Sequence, residues 1–279
     1  MTKATRLAPK DQAPPKRTPA QSEVKETPFE AIASICSVLV VGLFILTFLA
    51  QNFVIPSGSM KNTLLVGDHL VVDRINLAPP AKWMPLVHYR EPHRGDVVVF
   101  NKPVFSPGDP TDADGNPQEP FYLVKRLIAV PGDHIHLHNG IVIIDGMAQA
   151  EPYAQPTSPE NFNEFLDDFP AVPPAEVPGS TESWDVAFPR YIQNGDLVVP
   201  PGMCFMMGDN RHNSEDSRYW GFVPRANIIG RPLVNYWSFK AREGQLEQTG
   251  FVQRVVWIGH VLVHMLSDTR WKRTFHVVH

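Results

Sequence analysis

Hydrophobic and polar positions divide the chain into three stretches. Residues 1–30 are polar and broken by prolines, with Lys3, Arg6, Lys10, Lys16, Arg17 and Lys25 set against Asp11, Glu23, Glu26 and Glu30. Such a composition cannot bury a core and predicts a flexible tail. From Ala31 to Val54 no charged residue occurs. As one helix this run would be roughly 36 Å long, enough to cross a hydrocarbon layer of about 30 Å. It exceeds the apolar part of a cleaved leader, and the tail before it is too long for a leader's charged end, so it reads as a retained anchor. Basic residues on its N-terminal side place the tail in the cytoplasm and everything after Val54 outside.

Beyond Val54 the pattern changes to short apolar runs punctuated by turn residues. Strands are expected at 69–75, 97–100, 122–130, 197–199, 204–207 and within 227–239. His134–His138 and Ile141–Ile144 flank Asn139-Gly140, a strong signal for a two-residue hairpin. Residues 150–194 are rich in Pro, Glu and Asp and read as a weakly structured insertion, with Trp184 to Tyr191 rejoining the core. Strands do not alternate with helices, which argues against a parallel α/β domain. The expected architecture is mostly β, built of antiparallel sheets, with one N-terminal transmembrane α-helix. Its divisions are a tail at 1–30, an anchor at 31–54 and an outer β domain at 55–279. The run from Val255 to Ser267 is too short to span. It reads as a core element in preference to an amphipathic surface helix whose neighbours Arg270, Lys272 and Arg273 meet lipid headgroups.

Composition adds bounds. The 279 residues include 28 prolines and 18 glycines, and 43% are hydrophobic, so a turn-rich β domain with a sizeable core fits. A net charge of only -4, without a basic stripe, excludes a nucleic-acid partner. Cys36 lies in the apolar run, far from Cys204, and the two do not read as a disulfide.

Three features carry candidate chemistry. Ser57-Gly58-Ser59 sits directly after the apolar run, on a turn able to present a hydroxyl beside backbone N–H groups. Lys125 stands inside an apolar strand between Leu123, Val124, Leu127 and Ile128, where burial disfavours its charge. Lowering a lysine from about 10.4 to ~7–8 takes roughly 3–4 kcal/mol of differential destabilisation, which desolvation can supply. Gly208 to Gly221 is too polar and too particular in its side chains for a solvated loop, and Trp220 gives it an apolar anchor.

Together these stretches resemble bacterial signal peptidase I, a membrane-anchored Ser/Lys protease family. Pro56-Ser-Gly-Ser-Met60, with Thr63-Leu64 and Gly67-Asp68, is similar to the family's nucleophile segment. Arg94 to Phe100, Lys125-Arg126 and Pro131 to Asp133 resemble its general-base region, and Gly208 to Gly221 its last box. The resemblance implies Ser59 as nucleophile and Lys125 as general base. It implies an oxyanion hole of Ser57 and the Ser59 N–H, Ser214 orienting the lysine, and Asp216 paired with Arg218. Asp209 and Arg211 enter as structural support. Its implied substrates are signal peptides of exported preproteins, cut after small residues in an Ala-X-Ala-like pattern at the bacterial inner membrane. The implied partners are therefore those peptides and the lipid bilayer, with no metal and no cofactor. Two positions depart from the family pattern: Asn62 stands where proline is usual, and His212 where aspartate is usual.

Other readings compete. A self-processing or regulatory Ser/Lys protease would need a cleavage site in its own chain. An inactive tethered β scaffold would not need Ser59, Lys125 and Ser214 together. His134, His136 and His138 share one strand face as a metal site could, but no nearby Cys or paired carboxylate completes it, and a solvent-facing edge is preferred. Asp112 to Asn116 looks like the start of a calcium loop but lacks its spacing.

Overall fold

The structure is a computed structural model that describes residues 27–44, 50–77, 90–103, 122–246 and 250–278. It falls into two compact units, residues 1–43 and 44–279. The Asp112 to Asn116 segment lies outside the described residues.

Helix α1 (Pro28–Phe44) begins where the sequence supplies a start signal. The Thr27 N–H donates to Glu30 Oε2 at 2.8 Å, and the Glu30 N–H donates to Thr27 Oγ1 at 3.3 Å. That reciprocal box satisfies two otherwise free backbone donors, and Pro28 costs nothing at the first helical position. The expected helix through Val54 is corrected here: Ala50–Val54 is strand β1, paired antiparallel with β2 (Asp68–Asp73) in the register Ala50↔Asp73 to Val54↔His69. An uncharged run states that its surroundings are apolar, not which backbone it adopts, and the free edge of β2 supplies partners for these N–H and C=O groups. Among the described residues no helix is long and apolar enough to cross a membrane.

The remaining elements are β3 (Val97–Asn101), β4 (Tyr122–Ala129), β5 (His134–His138), β6 (Ile141–Ile144), β7 (Met147–Ala148), α2 (Glu164–Asp167), α3 (Glu182–Ala187), β8 (Ile192–Gln193), β9 (Asp196–Val198), β10 (Met203–Met207), α4 (Ser217–Trp220), β11 (Val223–Pro224), β12 (Ile228–Ser238), α5 (Phe251–Asp268) and β13 (His276–Val277). Among the described residues the larger sheet runs β1-β2-β12-β3-β4-β10-β11, with β13 also on β12, and the smaller runs β7-β6-β5-β9-β8. Every pairing is antiparallel. Strand β12 is long enough, at 11 residues, to pair β3 with its first part and β2 with its second. That arrangement joins the segment carrying Ser57 and Ser59 to the strands carrying Lys125.

The insertion is ordered throughout: Trp184 to Tyr191 joins the core as expected, but the order of residues 150–183 is against expectation. Phe165, Phe169, Trp184 and Phe188 are buried in one cluster with Ile135, Leu197, Phe205 and Phe222. Proline and acidic residues dominate its composition, but four large aromatic side chains bury enough apolar surface to hold it. The α5 region is a second correction. It is an 18-residue helix with none of its residues buried, not a core element.

Candidate active site

The loop between β1 and β2 is held by three apolar pegs. Ile55, Met60 and Leu64 are buried with Leu70, Val72, Val97 and Val99. Its base is closed by Ile55 N–H donating to the Asp68 carbonyl and Gly67 N–H donating to the Ile55 carbonyl, each at 2.9 Å. Between the pegs Ser57 and Ser59 stay half-buried, their hydroxyl oxygens 3.5 Å apart. The Ser59 carbonyl accepts from Asn210 N–H at 3.0 Å, and Asn210 Nδ2 donates to the Gly58 carbonyl at 3.1 Å. This links the serine turn directly to the polar box that begins at Gly208.

Consecutive residues of a strand face opposite ways, so Lys125 and Arg126 diverge from β4. Lys125 is 3% exposed, and its Nζ donates to Ser214 Oγ at 2.8 Å. Burial lowers its pKa to about 8; Asp216 pulls it up again and Arg218 pushes it down. Asp216 is itself committed. Its two oxygens accept from Arg218 Nε at 2.9 Å and Nη2 at 2.8 Å, with both residues fully buried. A carboxylate already neutralised by a two-pronged guanidinium offers little charge to the ammonium. The amine therefore gives up its proton around pH 8 rather than near 10.5, and a usable fraction is neutral and able to accept a proton near physiological pH.

Arg126 turns to Asp209, donating from Nε and Nη2 at 2.8 Å each, and Thr63 Oγ1 also donates to Asp209. Arg211 is braced elsewhere: its guanidinium donates to both oxygens of Glu151 at 2.8 and 2.7 Å. Ser57, Ser59, Lys125 and Ser214 line one cleft of about 420 Å³, together with His212, Glu215 and Glu243. The three β5 histidines lie outside its lining; His136 Nδ1 sits 2.7 Å from Asp196 and His138 Nδ1 3.5 Å from Asp168. Among the described residues no group of three metal-ligating side chains comes together.

The two unusual positions have a common explanation in the insertion. Asn62 has φ 95°, a backbone state that proline, fixed near −65°, cannot enter and that asparagine tolerates. Its Nδ2 donates to the Tyr153 carbonyl at 3.3 Å. His212 Nε2 lies 2.9 and 3.0 Å from the two oxygens of Asp167. Burial pushes the Asp167 carboxyl up, but hydrogen bonds from His212, Asn163 and Thr157 outweigh it and hold the group below the ordinary range. Tyr153 further lies 3.6 Å under the Arg126 guanidinium. Residues 151–167 thus supply partners for Asn62, Arg126, Arg211 and His212. Replacing Asn62 by proline should destabilise the fold by about 1–3 kcal/mol, read by denaturant unfolding, because this φ is incompatible with the ring.

Glu151, Tyr153, Asp167 and Glu243 are the site neighbours that the sequence reading omits. The first three sit in a stretch whose composition suggested solvent. Glu243 Oε1 accepts from the Gly58 N–H at 2.8 Å from 185 residues away, with no local pattern to announce it.

A profile described as "Signal peptidase, peptidase S26" matches residues 29–237. The chain belongs to the S26 signal peptidase family. A protein named signal peptidase I from Leptolyngbya laminosa is 33% identical over 242 residues, covering 86% of this chain and 94% of its own. A probable signal peptidase I-1 of Synechocystis is 34% identical, over 80% of this chain and 89% of its own. Signal peptidase I of Aquifex aeolicus is 32% identical, over 75% and 84%. The S26 match stops at Trp237, so Glu243 and α5 lie beyond it, whereas the insertion lies within it.

Proposed function

We propose that this chain is a serine endopeptidase that removes signal peptides from exported preproteins, cutting after small residues in an Ala-X-Ala-like pattern. The observation that carries this reading is a desolvated lysine amine, held by Ser214, opening on the cleft that Ser57 and Ser59 also line. Ser59 Oγ attacks the scissile carbonyl carbon while Lys125 Nζ takes its proton. The resulting oxyanion is met by Ser57 Oγ and the Ser59 N–H. Collapse expels the leaving amine, which receives the proton from the Lys125 ammonium. Water, deprotonated by the now neutral Lys125 Nζ, then attacks the acyl-enzyme, and Ser59 Oγ leaves with the proton returned from the lysine. The Asp216–Arg218 and Arg126–Asp209 pairs hold the lysine and serine segments in place and take no proton.

The uncharged run before β1 serves as a single anchor in the bacterial inner membrane, with the N-terminus cytoplasmic and the catalytic unit outside. Substrate adds as an extended strand beside the site, with alanine-sized pockets selecting its side chains.

The test is cleavage of a synthetic peptide with Ala at both specificity positions. Ser59→Ala should lower kcat by more than about 10³-fold without loss of folded protein. Near-normal turnover by this variant would remove Ser59 from the mechanism.

A further inference from the structure

Helix α5 presents its faces in the reverse of the order water demands. Val252, Val255, Val256, Leu262, Val263 and Leu266 are all at least 51% exposed. At 3.6 residues per turn they fall within an arc of about 120°, which no charged residue enters. The more polar face turns to the protein, where the rings of Trp257 and His260 lie 5.6 and 6.0 Å from that of buried Phe239. A helix at a water-exposed surface directs its apolar stripe inward. The reversal requires an apolar medium on the outer side.

The position of the helix says which medium. Trp257, Val261 and Leu262 line a groove of about 480 Å³ with Val54, the last residue of the uncharged run. Val54 also lines the active cleft. On the anchor reading above, on which this inference rests, the chain leaves the bilayer just before β1. The groove beside α5 then lies at the membrane surface. Beyond the helix, exposed Trp271 and Phe275 flank exposed Lys272, the combination that settles at the lipid–water boundary.

We infer that α5 lies flat in the outer interface of the same bilayer, its apolar arc among the acyl chains, as a second membrane contact of the catalytic unit. It does not span: at 18 residues it is not apolar enough to cross a membrane. Interfacial helices of this type gain their affinity from the buried apolar face. Its effect is to fix the cleft at the depth where a membrane-held preprotein presents its cleavage site.

The test uses the full chain in vesicles of phosphatidylethanolamine and phosphatidylglycerol. A photoreactive benzophenone side chain replaces Val263 or, in a control, exposed Glu160 of the insertion. Irradiation should give a lipid adduct at 263 and none at 160. No lipid adduct at 263, or cross-linking to a second copy instead, overturns the inference. Resistance of the same vesicles to alkaline carbonate extraction reads the N-terminal anchor separately, and its failure would remove the anchor while the adduct still decides α5. The double change Val256→Glu/Val263→Glu should lower kcat/KM on a membrane-inserted preprotein about tenfold and leave a soluble peptide unaffected. Equal kinetics on both substrates would contradict the positioning role.

Discussion

Lys125→Met should abolish peptide cleavage and at the same time make the protein more stable at neutral pH. Methionine keeps the unbranched shape of the lysine stem and has no charge to desolvate. The folded amine titrates at about 8 and the unfolded one near 10.5. Below about pH 8 both states are protonated, and the buried ammonium costs the fold about 3 kcal/mol. Between these two values the unfolded chain binds more protons, so wild-type stability rises with pH. The loss of the hydrogen bond to Ser214 returns about 1 kcal/mol, leaving a net gain of about 2 kcal/mol for the variant. Denaturant unfolding at a series of pH values checks this. The gain should be full at pH 7 and shrink as pH approaches 10.5. A destabilised variant at pH 7 would mean that Lys125 is a structural ion-pair lysine. Lys125→Arg should be as inactive as Lys125→Met but without the gain, because guanidinium stays charged.

Gly208→Ala should lower turnover by about 100-fold or more, although residue 208 has no side chain to contribute. An added Cβ would lie 2.5 Å from the Ser59 carbonyl oxygen and 2.6 Å from Ser214 Cβ. Neither can yield independently. The Ser59 carbonyl is held by Asn210, and Ser214 holds the Lys125 amine. Gly208 also donates its N–H to Asp216 Oδ2 at 3.1 Å and accepts from Arg211 Nε at 3.1 Å. The added methyl group would thus push the serine turn and the lysine apart, and a displacement of about 1 Å between reacting groups costs on the order of 10²-fold. Overpacking should also destabilise by about 1–3 kcal/mol. Steady-state kinetics beside a thermal melt distinguish the two effects. Wild-type kcat in a variant that melts normally would show that the contact relaxes without moving either group.

These dependences explain what the sequence could and could not reveal. Asn139-Gly140 between alternating runs fixed the hairpin of β5 and β6, because only a primed turn suits both residues. Lys125 was conspicuous because a charge inside an apolar strand contradicts its neighbours. The end of α1 was hidden, since Ala50–Val54 is as free of charge as the residues before it and its strand partner lies in β2. The order of the first part of the insertion was hidden because Phe165 and Phe169 are scattered among prolines and acids, whereas Trp184 and Phe188 fall in the stretch read as rejoining the core. Apart from the Asp216–Arg218 pair, which the resemblance implied, which carboxylate takes which guanidinium was out of reach. Arg126 finds Asp209 across 83 residues and Arg211 finds Glu151 across 60. The exposure of α5 was misjudged for a related reason: an apolar run signals burial but does not distinguish burial in protein from contact with another medium.

The pH dependence of kcat/KM for the wild-type enzyme on a soluble peptide tests the Ser59–Lys125 pairing most directly. This ratio reports the titration of free enzyme, in which the amine must be neutral to accept the Ser59 proton. The structure predicts a limb that rises about tenfold per pH unit and levels off at an apparent pKa of about 8. A limb that continues toward 10.5, or a rate flat across the range from about pH 7 to 9, would contradict Lys125 as the base.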